Sequence, residues 1–352
     1  MTADVLTTKL RDPALDALRT LAVLGMMATH TTRLVQRDGR DAWNIWAMLF
    51  EPVIPALFLV LAGASLLLSW HSKKADSKIW WQRQLRRALG LWVIGVIFYF
   101  AESGFRLPDL IFSPGILATI AYAILLITTI MTWMSSVYAT WLLTALLLMG
   151  CGAYQYLDSQ TQKVFWLNAG NSPMLPLLLF ALVGALAVLW GKKLGAAGRW
   201  ALTLMAIGIS GFCLWRYGAQ DLFTKPLGRS DASRVFSVVK DGVTQNKVLG
   251  YYNLRPLLSI FVLSFFMVIW QVLCMLRPLL QKMNHFFFLM GRHSLAVYIL
   301  HLSLLAIPFV LWGAHPFKHG WQGATVWLAL LVICQLFSLL KERFSAKTTV
   351  GP

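Results

Sequence analysis

The chain has 352 residues, of which 58% are hydrophobic and 13% charged, with a formal net charge of +17. A soluble domain runs roughly 45–50% apolar and about 25% charged, so a water-soluble globule of this composition would expose large apolar patches. The positive charge sits in short flanks between apolar runs, where positive-inside bias and anionic headgroups account for it; nucleic acid is thereby excluded as partner.

Apolar runs near the ~20 residues that a bilayer core requires recur at about 15–35, 46–70, 85–101, 111–133, 136–154, 173–191, 200–217, 255–277, 293–313 and 321–341. They predict an all-α fold: a polytopic integral membrane helical bundle with about ten transmembrane helices, forming a single domain over residues 1–352. Lys and Arg crowd the flanks around 9–19, 73–87, 192–199, 277–292 and 341–347 and thin out in the short loops between. That asymmetry places both termini in the cytoplasm and the long polar 218–254 loop outside, where it would act as a cover or lid. The first run lacks a small-residue cleavage site and reads as a retained helix. Cys151, Cys213, Cys274 and Cys334 all fall in apolar runs, without metal-ligand spacing, and read as small core residues. No metal is expected.

Ionisable residues inside membrane spans are costly, and each raises a functional question. The first run carries Asp16, Arg19 and His30. Arg19 and His30 are eleven residues apart, about three helical turns, so they share one face with a rise of roughly 16 Å between them. Asp16 and Arg33 flank the same stripe; Asp16 reads as a capping partner for Arg19. The second run opens at Phe50-Glu51-Pro52, putting Glu51 near the outer end at a depth similar to His30. A carboxylate there would fix the tautomer of an imidazole base, or simply meet headgroups. Arg83, Arg86 and Arg87 are spaced i, i+3, i+4 at the inner end of the third run, a cluster suited to phosphates that topology alone would also produce. Ser294, Tyr298 and His301 follow i, i+4, i+7 spacing and form one stripe of the ninth run.

Taken together and in order, these residues resemble the transmembrane acyltransferase superfamily, which includes acyltransferase family 3. Within it they most resemble the branch of the heparan-alpha-glucosaminide N-acetyltransferase-like proteins. The run Leu15 to Ala22 with Met26, Met27 and His30 resembles the first helix of that group, Arg19 and His30 fitting its Arg-x10-His motif. Arg83 with Arg86 fits its Arg-x-x-Arg motif, and Phe50 to Ser69 resembles its acid-proline-Phe-rich second helix. Pro114 to Leu117, Pro173 to Gly184, and Gly291 to His301 resemble later elements, so the likeness runs from about residue 11 to 340. Thr20 stands where glycine is usual and Glu51 where aspartate is usual.

The resemblance implies transfer of an acyl group, usually acetyl from acetyl-CoA, to a sugar hydroxyl or amine across the membrane, here a bacterial inner membrane. An extracytoplasmic hydrolase-like domain, present in some members, is not expected. In this reading His30 is the general base, oriented by Glu51. Arg19, Arg83, Arg86 and Arg87 meet the donor's phosphates, and Ser294, Tyr298 and His301 line the donor's path. Arg33, Trp43 and Tyr252 are candidates to contact the saccharide acceptor. Direct transfer and an acyl-histidine intermediate both remain open. The partners implied are the acyl-CoA donor, an extracytoplasmic saccharide, membrane lipids and, as an option, a second copy of the chain. The rival reading is a glycan, lipid or drug transporter or flippase using the same polar track without chemistry; no duplicated halves are visible in its support.

Overall fold

The computed structural model describes residues 12–35, 53–72, 77–112 apart from Arg106, 114–159, Val164, Leu167, 173–223 apart from Lys192, 235–240, 243–248, 256–312 apart from Asn284, and 317–348. Its long helices are α1 (Pro13–Thr31), α2 (Val53–Ser72), α3 (Ser77–Ser103), α4 (Ile116–Trp133) and α5 (Ser136–Ser159). They continue with α6 (Met174–Gly191), α7 (Ala196–Phe223), α8 (Pro256–Met275), α9 (Ser294–Trp312) and α10 (Gly320–Thr348). Each overlaps one of the apolar runs. Six of them, α2 to α6 and α10, are long and apolar enough to cross a membrane. α8 and α9 carry shorter apolar stretches, Ser259–Met275 and Ser294–Ile307. α1 and α7 are diluted by polar residues, among them Asp16, Arg19 and His30 in α1 and Arg199, Arg216 and Asp221 in α7.

The segment predicted as a loop from 218 to 254 holds regular structure. α7 continues through it to Phe223, and strands β1 (Val235–Lys240) and β2 (Val243–Val248) pair antiparallel, with Lys240 opposite Val243. The local sequence gives the reason: a β-branched run, Val235-Phe236-Ser237-Val238-Val239, precedes the dipeptide Asp241-Gly242, which favours a two-residue hairpin connection. This hairpin is the one departure from the all-helical expectation among the described residues.

The chain divides into two compact units. The first comprises Met1–Ile54 and Met267–Pro352. α1 is its hub: the short helices Arg277–Lys282 and Leu289–Arg292, together with α9 and α10, all pack on it. Asp12 starts α1 by accepting a hydrogen bond from the Ala14 amide at 3.0 Å, with Pro13 in the first turn, where its missing N–H costs nothing. Asp12 also receives the guanidinium of Arg277, Nε at 3.2 Å and Nη2 at 2.5 Å, tying the helix start to a residue 265 positions away. At the other end the hydroxyls of Thr29, Thr31 and Thr32 each donate to a carbonyl three residues back, and the chain tightens into a 3-10 turn, Thr32–Leu34. The Phe317 amide then donates to the Leu34 carbonyl at 3.0 Å, closing that end against the start of α10.

Gly291 sets how close the short helix Leu289–Arg292 can come to α1. A Cβ at this position would lie 2.6 Å from the Asp16 carbonyl and 2.8 Å from the Thr20 nitrogen, so only glycine permits the contact. Ala14 and Ala17, small side chains on the same helix, pack with Leu280 and Phe288 beside it.

The second unit spans Pro55–Phe266. α3 packs on α4, α4 on α6, and α5 on α6. α2 and α6 cross at glycines: a Cβ on Gly63 would overlap the Ala181 carbonyl, and one on Gly184 the Val60 carbonyl. Lipid tails are as apolar as leucine, so helices in a bilayer associate through such close backbone approach. α5 turns Val137, Tyr138, Trp141, Leu148 and Met149 outward. In water that face would be a liability; in a membrane it is the surface expected to meet lipid.

Gly184→Leu should therefore cost about 1–3 kcal/mol of stability by overpacking. Gly152, where a Cβ would meet nothing within 4 Å, gives the control. In detergent, Gly184→Leu should lower the melting midpoint and Gly152→Leu should leave it near wild type.

Candidate active site

α1 carries polar residues along its length, and in the first unit they meet partners from the last third of the chain. Near its C-terminal end, His30 Nδ1 lies 2.8 Å from His301 Nε2 on α9, with the two rings stacked at 5.1 Å and 9°. His301 is fully buried, and its Nδ1 lies 3.0 Å from the Val297 carbonyl one turn back. A carbonyl can only accept, so His301 Nδ1 carries the hydrogen. In the neutral pair His301 Nε2 is then the acceptor, and His30 Nδ1–H donates to it. The remaining ring nitrogen of His30, Nε2, carries the lone pair. Helix geometry thus fixes the tautomer of one histidine and, through it, of the other.

Tyr298 sits edge-on to both rings, 5.4 Å from His301 and 6.4 Å from His30. Two members of the predicted i, i+4, i+7 stripe, Tyr298 and His301, therefore come together with His30. Ser294, the first residue of α9, is half-buried one turn before Tyr298.

Nearer the N-terminal end of α1, Arg19 Nη1 donates to Asp16 Oδ1 at 2.9 Å, the pairing expected from their spacing. Asp16 is not a simple cap. It is buried, and its second oxygen, Oδ2, lies 3.4 Å from Nε of Arg292, whose side chain is only 7% exposed. Arg292 Nη1 lies 3.7 Å from Glu342 Oε1 on α10, and the other oxygen of Glu342 lies 2.9 Å from His293 Nε2. One carboxylate is thus flanked by two guanidiniums, the second of which reaches α10.

Sequence reasoning did not single out Arg292, His293 or Glu342. Arg292 and His293 lie within the Gly291-to-His301 element but read as a basic flank. Glu342 offers a sharper signal: it is the only acidic residue after Asp241, set among Lys341, Arg343 and Lys347.

Arg83, Arg86 and Arg87 lie exposed along α3 in the second unit. Arg33 falls in the 3-10 turn Thr32–Leu34. Glu51, Trp43 and Tyr252, and the side chain of Arg33, lie outside the described residues. Among the described residues no group of three or more His, Cys, Asp or Glu side chains is disposed to hold a metal ion.

An imidazole pair held between two helices of an apolar helical protein marks a place where chemistry can be sought. Residues 11–222, more than half of the chain, match the family model of the heparan-alpha-glucosaminide N-acetyltransferase catalytic region. The chain belongs to this family and is an integral membrane acetyltransferase. No curated protein matches it. The match ends within α7, so His301, Tyr298 and Arg292 enter the site through geometry and not through the family model.

Removing one partner of a buried ion pair leaves the other charge uncompensated, at about 3–5 kcal/mol, whereas a partly exposed pair contributes roughly 0–1 kcal/mol. Arg292→Gln should accordingly lower the melting midpoint in detergent clearly more than Arg277→Gln, whose partner is the partly exposed Asp12.

Proposed function

We propose that this protein moves an acetyl group from cytoplasmic acetyl-CoA to a hydroxyl or amine of an extracytoplasmic saccharide. His30 is the general base. The observation that carries this reading is the His30–His301 contact, because in the neutral pair it engages His30 Nδ1 as a donor and makes Nε2 the basic nitrogen. A neutral imidazole with a defined acceptor nitrogen is the group that general-base catalysis near pH 7 calls for.

The chemistry balances without a metal. The acceptor O–H or N–H gives its proton to His30 Nε2 as the oxygen or nitrogen bonds to the thioester carbonyl carbon. The carbon–sulfur bond breaks, and the departing thiolate takes the proton to leave as coenzyme A. Glu51 is proposed as a further orienting carboxylate, and Ser294, Tyr298 and His301 as the lining of the thioester path. Arg19, Arg83, Arg86 and Arg87 are assigned to the donor's phosphates through charge-assisted hydrogen bonds. Arg33, Trp43 and Tyr252 are assigned to the saccharide.

In this reading all ten long helices cross the bilayer of a bacterial inner membrane with both termini cytoplasmic. α1 crosses despite its charges because its polar face is turned to protein. The segment 218–254 covers the outer side. A homo-oligomer is compatible with the exposed apolar faces.

The test uses vesicles with the donor side of the protein accessible, acetyl-labelled acetyl-CoA on that side and glucosamine as the probe acceptor on the other. Label should appear on the amino sugar, and His30→Gln should lower the rate about 10²–10⁴-fold, the usual share of a general base, while acetyl-CoA binding persists. A wild-type rate in His30→Gln would remove His30 from this role. Passage of intact probe across the membrane without acetylation would favour transport.

A further inference from the structure

Asp16 and Arg292 have no part in the bond-making just described, yet with Arg19 and Glu342 they form a connected chain of charges in the first unit. Asp16 is 3% exposed, and its two oxygens face different guanidiniums: Arg19 on its own helix at 2.9 Å and Arg292 on the neighbouring short helix at 3.4 Å. The site is built for this. Gly291 lets the backbone of the short helix approach the turn Asp16–Thr20, which delivers the next residue, Arg292, to Asp16. Arg292 is in turn steadied by Glu342 at 3.7 Å.

The exposures differ along this chain of charges. Arg292 is 7% exposed, whereas Arg19 keeps 26% of its side chain open to the surroundings. Two cations therefore meet one buried anion, and the more accessible cation is Arg19. Arginine carries about 2 kcal/mol of rotamer entropy. Holding one of its nitrogens against a fixed carboxylate removes much of that freedom before any ligand arrives, and preorganisation of this kind shows up as affinity. The guanidinium fork offers five N–H donors and is suited to phosphate. Along α1, Arg19 stands roughly 16 Å from His30, so an anion bound at one end and an acyl group at the other would engage a single elongated ligand.

We propose that Asp16 and Arg292, steadied by Glu342, are positioning residues that hold Arg19 as a preorganised ligand for a phosphate of the acyl donor. This rests on the reading of Arg19 as a donor-phosphate ligand. Asp16 touches no substrate in this assignment; it acts through Arg19. The consequence is selective: disturbing the carboxylate weakens recognition of the phosphate-bearing part of the donor and spares the thioester arm.

The experiment compares binding of acetyl-CoA with that of S-acetylpantetheine, which has the thioester arm but no nucleotide phosphates, using full-length protein in detergent. Asp16→Asn should weaken acetyl-CoA binding about tenfold, the scale of one hydrogen bond to a charged group. S-acetylpantetheine binding should stay within about twofold of wild type on the same scale. Glu342→Gln, at a half-exposed residue, should give the same selectivity with a smaller effect, and it decides the matter if Asp16→Asn fails to fold. Arg292→Lys should retain more acetyl-CoA affinity than Arg292→Gln. Equal weakening for both ligands, or no change for either, overturns the proposal and leaves a purely structural ion cluster. Wild-type protein that binds neither ligand overturns the donor assignment itself, and this inference with it.

Discussion

The helix that carries Asp16, Arg19 and His30 along its length is also the hub of its unit, and that constraint organises everything around it. A helix carrying Asp16, Arg19 and His30 cannot turn those residues toward lipid, where an unsatisfied polar group costs several kcal/mol. They must be answered by protein, and α1 is answered at every level. Arg277 meets Asp12, Arg292 meets Asp16, and His301 meets His30. The Trp327 indole on α10 donates to the Leu24 carbonyl at 3.1 Å, and the Phe317 amide to that of Leu34. All of these partners lie between residues 277 and 327. The pairing of the N-terminal helix with the C-terminal part of the chain is thus what satisfying α1 requires, and small residues make it possible: Ala14 and Ala17 on α1, and Gly291 against it.

Helix positions were readable because a bilayer imposes a length and an apolarity on each crossing, so hydropathy alone marks where helices lie. Boundaries followed from local chemistry. Asp12-Pro13 starts α1 two residues before its apolar run, and the threonines after Ala28 close it into a 3-10 turn. The extension of α7 to Phe223 and the hairpin at 235–248 were less legible. Polarity identifies a segment that leaves the membrane but does not distinguish a loop from a helix end or a short strand pair. The Val-rich run before Asp241-Gly242 carried that information, and it is weak against a background of so many stronger apolar signals.

The site divides in the same way. Spacing within one helix is a local property, so the shared face of Arg19 and His30 and the stripe of Ser294, Tyr298 and His301 could be read directly. Which stripe meets which face is a non-local property. His30 and His301 are 271 residues apart, and nothing in either local sequence names the other. The sequence pointed to Glu51 as the group that would orient His30; the partner seen among the described residues is His301. Arg292 was hidden for a different reason. At a cytoplasmic flank a basic residue is expected whatever its role, so its burial against Asp16 could not be told from topology. The solitary Glu342 was the better clue, since an acid in a basic flank has no topological explanation.

The choice of a second imidazole to hold the first has an electrostatic logic. A carboxylate in the place of His301, bonded to His30 Nδ1, would be a permanent charge whose desolvation must be offset in the resting state as well as during reaction. His301 can be neutral while still accepting the Nδ1–H of His30 and fixing its tautomer, because the Val297 carbonyl already holds its own hydrogen. The pair then becomes charged only when a proton arrives on Nε2, which in the proposed mechanism is the moment an acceptor attacks the thioester. An interaction that strengthens as charge develops lowers the barrier more than one that is equally strong beforehand. Permanent charges are kept elsewhere on α1, roughly 16 Å away at Asp16 and Arg19, where the donor's own fixed charges would be met. One helix thereby separates the two electrostatic tasks of the proposed reaction, holding an anion at one end and moving a proton at the other.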